Sequence, residues 1–438
     1  MKKVTRISIV LSVLILCFHQ PLVPVSGETS WSQTYGGADD DRAYVVIQTT
    51  DNGFMLAGII EKWNTNSFGE GYLIGADIWL VKTDAKGMIQ WTQTYSNAQN
   101  FDLIQTADGG FALTGTKNFW LMKTDATGRA EWNQTYGYIR QEKVRALVQT
   151  TDGGFALAGE TWSKDKTCRL WLVKTDSLGL LQWDQIYEGL EEFLVFDLIQ
   201  TRDECFVLTG TTPLFGRAEI FLIKIDAKGE VQWNQTYGGA NTDAAYSVLQ
   251  TLDGGFALAG YTRSFGAGSI DMWLVRTDTN GTIQWNQTYG GSERDTASMV
   301  IQTTDGGFAL AGYTNSYGAG DYDSWLVKTD AKGVVQWNQT YGGTGEDYAY
   351  SLIRATDGGF ALAGATSSYG AGYFDFWLLK IDDTGSPPIM LEILGLPIQL
   401  FSPFVLLYIL PMLSGSTIGL ITASIAYPYC KRRWLQNP

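Results

Sequence analysis

Over most of this chain, apolar and polar residues alternate in short blocks that return in one fixed order. A V-I-Q-T-like block leads to Asp-Gly-Gly, then F-A-L-A-G, a variable stretch, W-L-V-K-T-D with a glycine, and W-N-Q-T-Y. In W-N-Q-T-Y, Trp, Gln and Tyr fall on one face and Asn and Thr on the other, the two-residue period of a strand. The other blocks are short, rich in β-branched and aromatic residues, and bounded by Gly and Asp, so they too read as strands. None carries a helical apolar stripe. The turns "TDGGF" and "TDAKG" supply glycines for the positive φ values that tight hairpins need.

The period decides the architecture. "QWNQTYGG" begins at Gln232, Gln284 and Gln336, 52 residues apart, and weaker copies surround it. Trp31, Trp91, Trp132, Trp183, Trp233, Trp285 and Trp337 mark seven copies, each followed four residues later by a tyrosine. Four strands of about six residues with their turns fill a unit of about 50, the size of one propeller blade. The pattern therefore predicts an all-β fold, a seven-bladed β-propeller of four-stranded blades over residues 28–385. The small residues of F-A-L-A-G suit the crowding near the axis, and the large Trp and Tyr belong farther out, between blades. The chain opens on a lone W-S-Q-T-Y at Trp31 and ends its repeats on "FWLLKIDDTG" with no such strand after it. The N-terminal strand is thus expected to complete the last blade and close the ring.

The segment "DGGFALAGYTNSYGAGDYDSWLVKTDAKGVVQWNQTYGG" resembles the β-propeller repeats of many archaeal and bacterial surface proteins. The resemblance spans roughly residues 31–385 and is clearest in units one, five, six and seven. It implies this fold and an extracytoplasmic location, and it brings no catalytic residues. "DAKGVVQW" is similar to the tryptophan-docking motif of quinoprotein propellers, although a turn glycine and an inter-blade Trp also have purely structural uses.

The two ends change the picture from a free ring to an anchored one. A basic start and an apolar run, "MKKVTRISIVLSVLILCF", give residues 1–27 the layout of a signal peptide with cleavage near Gly27; an uncleaved anchor is the alternative. After a linker, 386–403, the stretch Phe404–Tyr427 holds 24 residues without a charge. That is enough for about 36 Å of helix. "CKRR" follows directly and gives the tail 428–438 the positive flank of a cytoplasmic side. A single C-terminal transmembrane helix is the expectation.

The whole chain carries a net −14, but its two ends are basic. They hold six of the 31 Lys/Arg and one of the 45 Asp/Glu, which leaves the ectodomain near −19. Nucleic acid and anionic lipid, which need a basic surface, are poor partners for such a ring. Cys168 and Cys205 fall in connections on opposite faces, which disfavours a disulfide.

Loop lengths pick out one face. The spacing is constant from the V-I-Q-T block to F-A-L-A-G, and again from the third-strand aromatic to the next Trp. All variation falls in the second-to-third and fourth-to-first connections, which share the other face. Gly58 to Trp79 in blade 1 spans 21 residues, against 13 from Gly312 to Trp325 in blade 6 and five from Gly115 to Trp120 in blade 2. The long loop is expected to fold over its neighbour. Loops on a rigid ring are where binding concentrates. Residues 61–76, 138–144, 161–169 and 188–193 are thus the candidate partner site, with Trp63, Phe68, Tyr72, Arg140, Trp162, Lys164 and Glu191 as its named residues. Drift in idle loops is the competing explanation.

The same face repeats an acidic pattern: Asp41, Asp243, Asp295 and Asp347 after Y-G-G, and Asp77, Asp271, Asp323 and Asp375 two residues before the third-strand aromatic. Calcium or another hard cation would suit such carboxylates. Asx turns onto loop N–H groups would use them equally well. Asn133, Asn234, Asn280, Asn286 and Asn338 stand in N-x-[ST] sequons and are candidate glycosylation sites.

His19, the single histidine, lies in the leader, so a cleaved chain has no imidazole base or ligand. The sequence thus points to a membrane-anchored surface module that binds a protein or glycan or serves as a scaffold. An extracytoplasmic enzyme, carboxylate-based on glycans or quinoprotein-like, is the alternative.

Overall fold

The computed structural model describes residues 30–386, apart from 66–70, 97–101, 116–118, 138–141, 163–167, 192 and 213–216, together with 390–393 and 396–399. Within them the chain forms seven four-stranded antiparallel sheets arranged as a propeller. In blade 6, Asp295–Gln302 is the inner strand, followed outward by Phe308–Thr314, Asp323–Thr329 and Val335–Tyr341. The inner strands of successive blades lie beside one another around the axis.

Both faces of each blade are covered by its neighbours, so the second and third strands lose the in–out alternation of a one-sided sheet. Phe308–Gly312 and Trp325–Thr329 are buried at every residue. The inner strand carries a β-bulge, where the register skips Tyr44, Arg145, Phe196, Tyr246, Ser298 and Tyr350 in six blades. The bulge also explains the last glycine of F-A-L-A-G. A Cβ on Gly312 would come within 1.9 Å of the Thr296 carbonyl on the bulged strand.

The W-N-Q-T-Y string is the joint between blades. Trp285 meets Phe308 of the next blade edge to face, with ring centroids 5.9 Å apart, and lies against Gly333 of that same blade. Gly333 sits at φ +79° in the hairpin turn, where it presents only its backbone to the indole. The Trp–Phe contact recurs at all seven junctions with centroids 5.8–6.2 Å apart. At each junction the following tyrosine donates its hydroxyl to the turn glycine's carbonyl, as Tyr289 does to Gly333 and Tyr341 to Gly385 at 2.8 Å.

Ring closure follows the expected exchange. Trp31–Tyr35 pairs with Asp375–Ile381 as the outer strand of blade 7, from Trp31 opposite Lys380 to Tyr35 opposite Phe376. Trp377 Nε1 donates to Ser32 Oγ at 2.7 Å, and Ser30 Oγ to the Ser386 carbonyl at 2.7 Å. The transmembrane expectation for 404–427 lies outside the described residues, as does the leader. Among the described residues no helix is long and apolar enough to cross a membrane. Part of the expected linker is a short hairpin, Met390–Ile393 with Leu396–Gln399.

Candidate functional site

Each inner strand starts at the face with the variable loops and ends at the face with the constant turns. The acidic pattern therefore gathers at the variable face, where all eight aspartates are buried. Three of them tie the loop entering their own blade. Asp295 accepts from Gly291 N at 2.8 Å, from Ser316 Oγ at 2.7 Å and from Thr314 Oγ1. Asp243 does the same with Gly239, Ser264 and Thr262, and Asp347 with Gly343, Ser368 and Thr366. Asp41 accepts from Gly37 N at 2.8 Å but lacks the threonine, because Ile60 stands opposite it. Asp323 and Asp375 take two N–H groups each from their own loops, Ala319 and Gly320, and Ala371 and Gly372. Asp271 takes the N–H of Gly268.

At three junctions the carboxylates of adjacent blades converge on the first glycine after the tyrosine. Gly36 lies between Asp375 and Asp41, Gly290 between Asp271 and Asp295, and Gly342 between Asp323 and Asp347. Burial, opposed by the Gly37 N–H and reinforced by Asp375, pushes Asp41 up to about 6. Burial likewise pushes Asp323 up to about 6, against its two loop N–H bonds and with Asp347 adding to the rise. Among the described residues no three carboxylate, thiol or imidazole groups converge as a metal cage would require. The calcium expectation thus gains no support from the geometry, which spends these oxygens on loop N–H and hydroxyl donors.

Of the candidate partner residues, Trp63 and Tyr72 fall on strands of blade 1 and Trp162 and Glu191 on strands of blade 3. The long connection of blade 1 continues its hairpin beyond Ile60 and Asp77, with Trp63 opposite Leu73 and Asn64 opposite Tyr72. It is an arm of two strands. In blade 3, Trp162 is half-buried with Lys143 Nζ 5.4 Å from its ring centroid, and Glu191 stands opposite Arg169 in the backbone register at the end of the outer strand. Phe68, Arg140 and Lys164 lie outside the described residues. Asn133, Asn234, Asn286 and Asn338 are exposed on outer strands and Asn280 in a hairpin turn. The Oδ1 atoms of Asn286 and Asn338 accept from Trp273 and Trp325 Nε1 at 3.1 and 3.2 Å.

What the sequence pattern did not single out is a cluster of tyrosines at the variable-face end of the inner strands. Tyr348 is its hub, with ring centroids 5.0 Å from Tyr313, 5.5 Å from Tyr322, 5.8 Å from Tyr350 and 5.9 Å from Phe374. Tyr350 meets Tyr44 of blade 1 at 5.0 Å, and the Arg42 guanidinium lies 4.1 Å from the Phe374 centroid. All these aromatics are half-buried. Farther round the axis, Phe196, Tyr246 and Tyr261 continue the aromatic lining. A signal was present in Y-A-Y of "EDYAYSLI" and in the tyrosine of "DRAYVV", but a bulge breaks the alternation that would have placed those residues on one face.

Below the cluster, side chains of one inner strand serve the next. Just past the bulges, Leu147 N donates to Asp102 Oδ2 and Val248 N to Asp197 Oδ2, both at 2.8 Å, while Val46 N donates to Ser351 Oγ at 3.1 Å. Burial pushes Asp102 up to about 7 and Asp197 up to about 6, although each accepts two backbone N–H bonds.

No protein-family model and no curated protein matches the chain. Solved structures do. The WD40 domain of Neurospora crassa Pan2 is similar with 11% identity and a TM-score of 0.49, over 77% of this chain and 89% of that one. A Bacteroides caccae protein of unknown function has 15% identity and a TM-score of 0.40, over 69% and 94%. A puromycin hydrolase has 14% identity and a TM-score of 0.47, over 74% and 50%. These are likenesses of architecture.

Proposed function

We propose that this propeller is a surface-anchored binding module that takes a protein or glycan partner on its variable face. One observation carries the reading: half-exposed tyrosines with a paired arginine gather where the inner strands meet the variable loops. Tyr and Arg are the residues that dominate binding surfaces, because they offer large rigid contact area with a polar tip. The remaining inter-blade space is filled by the repeated Trp, Phe and Tyr joints. The basic-then-apolar leader and the uncharged 404–427 stretch support an anchored chain with its ring outside the cell. Topology supports the orientation as well. The chain leaves the ring at Ser386, just past a constant-face turn, so a membrane span that follows would hold the tyrosine face outward.

The test is binding of the full-length chain, in mild detergent, to a cell-envelope fraction, beside a variant with residues 62–74 of the blade-1 arm excised. Binding by the intact protein and weaker binding by the variant support the reading. No binding by either removes it.

A further inference from the structure

The hub of the tyrosine cluster, Tyr348, is not demanded by the fold. The position of Tyr348 is held by Arg42, Lys143, Leu194, Ala244 and Thr296 in other inner strands, while that of Tyr350, at the bulge, is held by Tyr44, Phe196 and Tyr246 as well as by Arg145 and Ser298. A site that accepts lysine, alanine and threonine has no packing need for a phenol. Yet blade 7, otherwise among the most regular, places two tyrosines here that stack with an interplanar angle of 8°.

We infer that Tyr348, Tyr350, Tyr313, Tyr322 and Tyr44 with Arg42 form a subsite for a neutral saccharide. The inference rests on the binding-module reading above and narrows its partner to a glycan. Five of the six clustered rings are tyrosines, so the surface combines apolar ring faces and edges with hydroxyl tips. Packing alone would be served by phenylalanine, as at Phe374. Burial holds the Tyr348 and Tyr350 phenols well above their usual range, so they stay neutral donors.

The polar rim is mixed in sign. Tyr348 Oη donates to Glu346 at 2.8 Å, and Arg42 pairs with Asp40 at 3.4 Å. Asp40 Oδ1 is buried and takes no hydrogen bond among the described residues. A sugar ring meets this combination: its C–H face stacks on an aromatic ring, and its hydroxyls donate to carboxylate and to the Tyr348 phenol oxygen and accept from guanidinium. A purely apolar ligand would strand those polar groups. An anionic ligand would meet Glu346 and Asp40 with only Arg42 to offset them. A cationic ligand would meet the like charge of Arg42, whose guanidinium already lies over the Phe374 ring.

The experiment presents the full-length protein with envelope that has been treated with periodate or with protease, and with an array of neutral and acidic saccharides. Tyr348→Ala and Tyr348→Phe are compared with the parent, and each is first checked for an unchanged thermal transition. The phenylalanine variant keeps the packing, so it reports on the hydroxyl even if alanine disturbs the fold. Expected are binding that survives protease but not periodate, retention on neutral saccharides, and a loss of about tenfold for Tyr348→Ala with a smaller loss for Tyr348→Phe. Binding that survives periodate and is lost to protease overturns the saccharide while leaving the binding module intact. Saccharide binding that both folded variants share unchanged places the site elsewhere and overturns the assignment. Absence of any envelope binding removes the module reading beneath it.

Discussion

The hydroxyl of Tyr289 donates to the carbonyl of Gly333, 2.8 Å away and 44 residues along the chain, and thereby ties the outer strand of one blade to a turn of the next. Tyr289 is buried, so the bond forms out of water where an unmade partner is costly. Tyr289→Phe should lower unfolding free energy by about 1 kcal/mol. Tyr289→Ala, which also opens a cavity, should cost about 3–5 kcal/mol. Guanidinium titration of both variants checks this. Equal midpoints for the parent and the phenylalanine variant would show that the ring alone makes the joint.

Closure by the N-terminal strand has a sharper consequence. Removing the chain through Tyr35 leaves Asp375–Ile381 an open edge and takes Trp31 from its core with Phe54 and Leu56. An open hydrophobic edge invites pairing between molecules. Size-exclusion chromatography should show aggregate in place of monomer. Grafting W-S-Q-T-Y after Ser386 through a short turn, so that blade 7 closes by a hairpin as the other six do, should restore the monomer. Failure of the graft would mean that the exchange itself, and not the missing strand, holds the ring.

A third prediction concerns the basic residue at the end of each third strand. Lys328 Nζ reaches Asp305 Oδ2, the Thr329 carbonyl and Gln336 Oε1, each at 2.8 Å. Blade 5 has Arg276 there, bonded to Asp253 and the Thr277 carbonyl. Lys328→Arg should therefore be nearly neutral in a thermal melt. Lys328→Met should cost about 1–3 kcal/mol. Asp305 is half-exposed, so most of that loss belongs to the buried Thr329 carbonyl and little to the ion pair.

The scaffold was legible because seven near-copies repeat the same physical demand. Trp285, Phe308, Tyr289 and Gly333 must fit one another at every junction, so their spacing is fixed and visible. The strand exchange was legible because Trp31 is a fourth strand without a blade before it. The tyrosine cluster was not. Tyr44 and Tyr350 sit at bulges, where a strict two-residue period fails, and Tyr348 meets Tyr313 and Tyr322 only through contacts between blades. The aspartates were legible as a pattern with two explanations, and only the positions of Thr314, Ser316 and Gly291 around Asp295 favour loop tying over a cation. The blade-1 arm was legible as length, but the pairing of Trp63 with Leu73 that makes it a hairpin needed the structure.

Those aspartates and the inner-strand pair set the pH dependence of stability. Asp102 at about 7, and Asp41, Asp197 and Asp323 at about 6, are raised in the fold by burial above an unfolded value of about 3.9. A raised carboxyl stabilises the fold in its protonated form. That stabilisation is complete below pH of about 3.9 and is lost as pH rises through about 6 to 7. Asp51, Asp108, Asp152 and Asp203 act in the opposite sense. Against a burial effect that would raise them, hydrogen bonds from Lys82, Lys123, Lys174 and Lys224 and from neighbouring threonines hold them at about 2. Their contribution is present above pH of about 3.9 and fades as pH falls toward about 2, and half-exposure keeps it small. Melting temperature should therefore climb as pH is lowered from 8 to about 5 and fall again below about 4. Asp102→Asn with Asp197→Asn keeps an acceptor for Leu147 and Val248 while removing the titration, so it should flatten the rise between pH 8 and pH 5. An unchanged slope in that double variant would move the effect to the blade junctions, where Asp41→Asn and Asp323→Asn are the variants that should then flatten it.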